Sequence, residues 1–276
     1  MILRELVALA SVKLRDSGIE NYTRDARALC AFALGIRPDQ VSFEANQHIS
    51  GVEHDMLLSL INKRCEKMPV SRIIGYRLFW GRRFKINQHV LDPRGDTETL
   101  IELALKEPAK KVLDLGTGTG NLAITLLCEW PEAHLVATDV SSEALNVARR
   151  NAEFHQVSER LDLRLSDWFE NIFNTFDLIV ANPPYIAEDK IDELADEVKS
   201  FDPIIALTSG KDELNSYKKI ASGAFERLEI YGRLILEIGS LQGLEVKKIL
   251  AFHGFKQISV HKDFENHDRV VSCIRE

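Results

Sequence analysis

The chain is sparing with residues that build covalent or metal-bound frameworks. Cysteine occurs four times in 276 residues, at Cys30, Cys65, Cys128 and Cys273, with no CxxC pair and no Cys/His spacing that suits a metal. A disulfide scaffold and a zinc module are thereby excluded, and the apolar sequence around each cysteine predicts buried free thiols in a reducing compartment. The eight histidines are dispersed without an HxxxH pattern, so no metal is expected. Positive charge is also short. Lys and Arg number 35 against 42 Asp and Glu, a net charge of −7 that argues against the broad cationic face needed for non-specific duplex binding. The deficit is uneven, because residues 1–89 carry 14 Lys and Arg against 9 Asp and Glu. Scattered solvated charge and a basic face for an acidic partner both fit that excess. Long apolar runs are missing too. Arg4, Glu5 and Lys13 interrupt the N-terminal stretch, which is neither a secretory signal nor a membrane span, and the expected location is the cytoplasm.

What is present is an ordinary folding composition, 45% hydrophobic and 28% charged, in a chain long enough for one or two domains. Residues 1–70 have helical periodicity. Leu3, Leu6, Val7, Ala10 and Leu14 form one stripe. Ala26, Leu29, Cys30 and Ala33 form a second, with Thr23 near its start and Gly35 at its end. Met56, Leu57, Leu60, Ile61 and Cys65 form a third over roughly 51–66. The period then shortens. The stretch from Ser71 to Leu91 is rich in β-branched and aromatic residues around Trp80-Gly81, which predicts a hairpin linker over 71–92 turning near Gly81. A helix follows, with Asp96 or Thr97 near its cap and Leu100, Leu103 and Ala104 on its apolar face. From Lys111 strands and helices alternate, the pattern of a doubly wound parallel sheet, and two closely spaced final strands predict an antiparallel pair at its edge.

Two motifs carry chemistry. VLDLGTGTGNLAITL sets a strand, a glycine turn and a helix in order, so that the backbone at Gly116, Gly118 and Gly120 can approach a ligand. A dinucleotide fingerprint would need glycine where Asn121 stands, and the Lys-Ser/Thr of a phosphate loop is missing, so the ligand expected here lacks a pyrophosphate. The next strand ends at Asp139, placed to accept two hydrogen bonds from a ribose diol. It would otherwise cap the following helix, a task Ser141 can also perform. Asp167 and Trp168 close the third strand, Trp168 as an adenine-stacking face or as a core residue. This combination resembles S-adenosylmethionine-dependent methyltransferases, whose cofactor ends in a carboxylate suited to a helix N-terminus.

The second motif, Asn182-Pro183-Pro184-Tyr185, closes the strand FDLIVA. An amide nitrogen is a poor nucleophile because its lone pair is delocalised. The Asn182 side-chain oxygen and the Pro183 carbonyl are two acceptors able to hold its N–H groups, prolines fix their direction, and Tyr185 can pack on a planar amide or base. The motif thus marks methylation of a planar sp² nitrogen, in a glutamine or in a base.

With these motifs, the stretches FWGRRFKINQHVLDPRGDTETLIELAL, FDPIIALTSGKDELNSYKKI, GRLILEIGSLQG and DRVV resemble the bacterial release-factor glutamine methyltransferases, the PrmC (HemK) family. The resemblance implies an α/β fold: a Rossmann-like, seven-stranded class I methyltransferase domain over 93–276, preceded by a helical substrate-recognition domain over 1–70 and the hairpin linker. It implies N5-methylation of the glutamine in the Gly-Gly-Gln motif of peptide chain release factors one and two, with S-adenosyl-L-methionine as cofactor and neither nucleic acid nor membrane as partner. Asp114, Gly116, Thr117, Gly118, Thr119, Gly120, Asp139, Asp167, Trp168 and Asn182 would bind the cofactor, and Asn182, Pro183, Pro184 and Tyr185 would hold the glutamine amide. The chain departs from the family pattern at Gly95, where proline is usual, and at Thr208 and Ser209, where glycine is usual. The competing readings are a glutamine methyltransferase for ribosomal protein L3 and a nucleic-acid amino methyltransferase; the latter is expected to bring a basic groove.

Overall fold

In the computed structural model, which describes residues 1–276, the N-terminal stripes become α1 (Leu3–Asp16), α2 (Tyr22–Leu34) and α3 (Gly51–Cys65). Leu3, Leu6, Ala10 and Leu14 are all buried on α1, and Ala26, Leu29 and Cys30 on α2. Gly35 ends α2 with φ of +66°, the left-handed turn that glycine adopts without a Cβ clash. Thr23 lies inside α2 and does not cap it; Asn21 holds that position without a side-chain bond. The cap that does form is on α3, where Ser50 Oγ accepts the Glu53 N–H at 3.3 Å and Glu53 Oε2 accepts the Ser50 N–H at 2.8 Å, a reciprocal capping box. Met56, expected on the buried face of α3, is 41% exposed, and Leu57, Leu60 and Ile61 fill the core there. Residues expected to begin the hairpin form a further helix, α4 (Val70–Ile74), ended by Gly75 at φ +79°. One compact unit comprises Met1–Tyr76 together with Ala195–Phe201. Its buried cation, Arg64, is 6% exposed and answered on both sides, by Asp25 and Glu197, each at 2.7 Å.

The second unit holds Arg77–Leu194 and Asp202–Glu276. Its chain opens with the hairpin of β1 (Tyr76–Phe79) and β2 (Arg82–Lys85). Trp80 and Gly81 both have positive φ, 49° and 69°, as a two-residue primed turn requires. Phe79 and Phe84 are fully buried in one apolar cluster with Leu100 and Ile101 of α5 (Glu98–Leu105). The elements that follow are β3 (Lys111–Leu115), α6 (Asn121–Glu129), β4 (His134–Asp139), α7 (Ser142–Phe154), β5 (Leu161–Leu165) and β6 (Phe176–Ala181). After α8 (Asp196–Phe201), which belongs to the first unit, come α9 (Asn215–Arg227), β7 (Leu228–Glu237), α10 (Gly243–Phe252), β8 (Lys256–Lys262) and β9 (Asp268–Ile274). Asn151 of α7 ties the hairpin down, accepting the Lys85 N–H at 2.8 Å and donating to the Lys85 carbonyl at 3.1 Å.

The seven strands run in the order β5-β4-β3-β6-β7-β9-β8. Five are parallel; β9 lies between β7 and β8 and is antiparallel to both. The central strands β3 and β6 are mostly apolar and buried, because apolar clusters cover the sheet on both faces, one including α5 and α6 and the other α9 and α10. Cys30 and Cys273 are buried, and burial pushes the Cys30 thiol up to about 12. Cys65 and Cys128, also expected to be buried, are only partly so, since each lies at the last turn of its helix. No helix is long and apolar enough to cross a membrane.

Candidate active site

Register decides what meets at the sheet edge. Leu115 of β3 pairs with Thr138 of β4 and Ala181 of β6, and Asp139 pairs with Leu165 of β5. The residues at or just past these strand ends, Gly116, Asp139, Ser166 and Asn182, therefore share one rim, the carboxyl edge where open α/β sheets bind ligands. A cavity of about 330 Å³ opens there. Its wall includes Gly116, Thr117, Gly118 and Thr119, together with Asp139, Asp167, Trp168, Asn182 and Pro184. Asp114, Gly120, Pro183 and Tyr185 stand outside that wall.

The three loop glycines do different work. All have positive φ, 70° at Gly116, 54° at Gly118 and 80° at Gly120. A Cβ at Gly116 or Gly118 would meet nothing within 4 Å, whereas one at Gly120 would sit 2.8 Å from Ile124 Cδ1 and 3.3 Å from Ala148 Cβ. The first two leave room on the cavity side; the third lets α6 pack against α7. The loop's donors are largely engaged within the protein. Gly118 N–H bonds Asp139 Oδ2 at 2.9 Å, and Asn121 N–H bonds Thr119 Oγ1 at 3.3 Å. Asp114 lies beneath, 1% exposed, its Oδ2 accepting the Thr117 hydroxyl at 2.6 Å. Burial pushes its pKa to about 7, against the pull of Thr117 and of the Ala123 N–H at the start of α6. That helix end faces an internal carboxyl group, and Asp114 supports the loop from below.

Asp139 is not a helix cap. Ser141 caps α7, its Oγ accepting the Ala144 N–H at 3.1 Å, while Asp139 Oδ1 accepts the Ser141 N–H at 2.9 Å. Each Asp139 oxygen takes one backbone bond and keeps a lone pair. Burial is the largest influence on this carboxyl group and raises its pKa. Trp168 lines the cavity and also packs against the apolar cluster around Tyr217, so it is both a wall and a core residue. Asp167, exposed beside it, lies 3.8 Å from Lys219.

In the second motif, Asn182 Nδ2 donates to Thr97 Oγ1 at 3.2 Å. Thr97 occupies the cap position of α5 as expected, yet makes no side-chain cap bond. The Tyr185 carbonyl accepts Gln242 Nε2 at 2.9 Å, and its ring lies by Gly239 and packs on the cluster under the sheet. Burial drives its hydroxyl pKa well up, with Glu237 adding to the rise.

Several wall residues were not singled out as ligand contacts from sequence: Arg94, Thr208, Ser209, Ser216 and Lys219. Nothing local marks them. They come from loops and from α9, and long-range packing brings them together. Arg94 Nη2, for example, bonds Asp202 Oδ2 at 2.6 Å across 108 positions of sequence. No group of three or more His, Cys, Asp or Glu is arranged to hold a metal ion. The residues do suit a nucleoside-bearing ligand: open space over Gly116 and Gly118, an acid with spare lone pairs at the end of β4, and an aromatic wall at the end of β5.

The chain matches two family models, one described as a methyltransferase small domain over residues 90–264 and one as a PrmC N-terminal domain over residues 5–75. A release factor glutamine methyltransferase of Cereibacter sphaeroides is 46% identical over 95% of this chain and 94% of its own length. One of Agrobacterium fabrum is 37% identical over 98% of this chain and 96% of its own. A bifunctional methyltransferase of Rickettsia felis is 34% identical over 98% of this chain, which spans 57% of that longer protein. Among solved structures, the hMettl16 catalytic domain superposes with a TM-score of 0.57 at 16% identity, over 70% of this chain and 74% of that one, which speaks for the class I fold alone. With nearly full-length identity of this order and a matching domain at each end, the chain belongs to the release factor glutamine methyltransferase family.

Proposed function

We infer that the chain transfers a methyl group from S-adenosylmethionine to the side-chain nitrogen of the glutamine in the Gly-Gly-Gln motif of peptide chain release factors one and two. The observation that carries the reaction is the orientation of Asn182. With its Nδ2 donated to Thr97, its Oδ1 is the end left to accept, on the same cavity that Gly116, Gly118 and Asp139 line. S-adenosylmethionine supplies an electrophilic methyl group on a sulfonium sulfur.

The protein's task is then to place a weak nucleophile. Asp139 takes the ribose hydroxyls on its spare lone pairs, Trp168 takes the adenine face, and Gly116 and Gly118 let the backbone come close. Asn182 Oδ1 and the Pro183 carbonyl accept the two N–H groups of the glutamine amide. That holds the nitrogen in line and favours a more localised lone pair. No strong base is needed, because the proton can leave after the methyl arrives. Tyr185 braces the motif from behind through Gln242 and the apolar cluster. The preference for a release factor draws on the names of the relatives and on the match at residues 5–75. We assign residues 1–70 to gripping that protein away from its Gly-Gly-Gln loop, and place the enzyme in the cytoplasm, where termination occurs.

The test is mass spectrometry of each release factor after incubation with enzyme and S-adenosylmethionine, with ribosomal protein L3 in parallel. One added methyl on the Gly-Gly-Gln glutamine, lost with Asn182→Ala, is expected. A methyl on L3 alone would transfer the reading to the sister activity.

A further inference from the structure

Glu237 ends β7, is 1% exposed, and takes no part in the steps above. Its Oε2 is buried without a hydrogen-bond partner. Four groups from three places act on its carboxyl group: the Thr97 hydroxyl ahead of α5 and the Tyr185 hydroxyl after β6 as hydrogen-bond donors, and Asp96 ahead of α5 and the Arg269 guanidinium on β9 through their charges. Tyr217 of α9 lies against the same residue, its hydroxyl bonding the Glu237 carbonyl at 3.4 Å. Arg269 is shared, since it also pairs with Asp263 at 3.2 Å and Asp96 at 3.3 Å.

A threonine hydroxyl has one proton and two lone pairs. Thr97 Oγ1 spends a lone pair on Asn182 Nδ2 at 3.2 Å, so its proton points elsewhere. An ionised carboxylate beside it can only accept. We propose that Glu237 fixes which way the Asn182 amide faces: by accepting the Thr97 proton it leaves Thr97 an acceptor, so Asn182 must turn its NH₂ to Thr97 and its Oδ1 to the cavity. Glu237 is thus a positioning residue that acts through Thr97, and the inference rests on the reading of Asn182 as the acceptor for a substrate amide.

The polarity is reversible by moving protons and turning over one side-chain amide. A protonated Glu237, or a glutamine in its place, can donate to Thr97 Oγ1. The Thr97 proton is then free for Asn182, whose amide turns over and presents NH₂ to the nitrogen it should hold. A donor would face a donor. Burial raises the Glu237 pKa to about 7, opposed by Thr97, Arg269 and Tyr185 and assisted by Asp96. The competent orientation therefore belongs to the higher-pH side of that value.

Three measurements on the full chain decide this. Glu237→Gln and Thr97→Val are each expected to lower kcat by about 100-fold, with KM and the affinity for S-adenosylhomocysteine within about two-fold. The double variant should lose no more than either single one, as two links of one relay do. Wild-type kcat should rise with pH through about 7, and that limb should vanish in Glu237→Gln. The third readout does not depend on turnover or on any variant folding well. In protein labelled with ¹⁵N-asparagine, the Asn182 NH₂ signals should titrate with the same midpoint. Multiplying losses in the double variant, or Asn182 signals unchanged from about pH 5 to 9, would overturn the proposal. If wild-type enzyme methylates neither release factor, the functional reading falls, while the Asn182 signals still decide the role of Glu237.

Discussion

Arg94 and Asp202 form a 2.6 Å ion pair in which the carboxylate side chain is 5% exposed and the guanidinium 41%. The second Asp202 oxygen lies 3.4 Å from the Asp92 N–H, so one carboxylate pins the segment before α5 to the chain just past α8. Both segments contribute to the cavity wall, through Pro93 and Arg94 on one side and Ile205, Ala206, Thr208 and Ser209 on the other. Asp202→Ala removes the acceptor of the Asp92 N–H and the partner of Arg94. It is expected to cost about 1–3 kcal/mol in urea unfolding and to weaken S-adenosylhomocysteine binding, measured by calorimetry. Unchanged affinity would mean that the wall holds its shape without the pair.

Asp139→Ala removes an acceptor from Gly118, from Ser141 and, in the proposed complex, from the ribose. Affinity for S-adenosylhomocysteine should fall by about 1.5–3 kcal/mol, the range for hydrogen bonds to a charged group. The melting temperature of the free protein should fall as well, because the glycine loop loses its clamp. Calorimetry and a thermal melt together check both arms.

The loop glycines are expected to separate folding from binding. Gly120→Ala puts a methyl 2.8 Å from Ile124 Cδ1 on a left-handed backbone, so overpacking of about 1–3 kcal/mol adds to conformational strain. Gly118→Ala meets open space, and only the backbone penalty of about 1–2 kcal/mol applies. Chemical denaturation should rank Gly120→Ala as the less stable of the two. Titration with S-adenosylhomocysteine should show Gly118→Ala losing affinity beyond what its stability explains.

Asp114 makes the free protein less stable as pH rises. Its folded pKa, about 7, exceeds the ordinary value of 3.8, so between those values the folded state holds a proton that the unfolded chain has released. Stability from this group is complete below about pH 4 and is lost as pH climbs through 7. Asp114→Asn removes the titration, and its denaturation midpoint should depend less steeply on pH across that window. An unchanged slope would show that the carboxyl group is ionised in the folded state.

Much of this was already written into local sequence. The glycine loop, the acid closing the second strand of the sheet and the Asn182 motif are each a strand end followed by residues with special backbone or hydrogen-bonding chemistry, and such signals survive without knowledge of the fold. The alternation of apolar strands and amphipathic helices from Lys111 onward likewise pointed to a doubly wound sheet, because parallel strands covered on both faces tend to near-continuous apolar runs. The residues that tune the site were decided only by tertiary structure. Thr97 has the sequence context of a helix cap, and nothing local tells that its hydroxyl instead accepts Asn182 from 85 positions away. Glu237 ends an apolar strand like an ordinary surface acid. It is buried because β9 runs back between β7 and β8, pairing Val270 with Glu237 and covering the edge that β7 would otherwise expose. Periodicity reports which face of an element is apolar. It carries no information on which polar atoms from distant segments meet in that interior, and that meeting sets the direction of each hydrogen bond at the Asn182 amide.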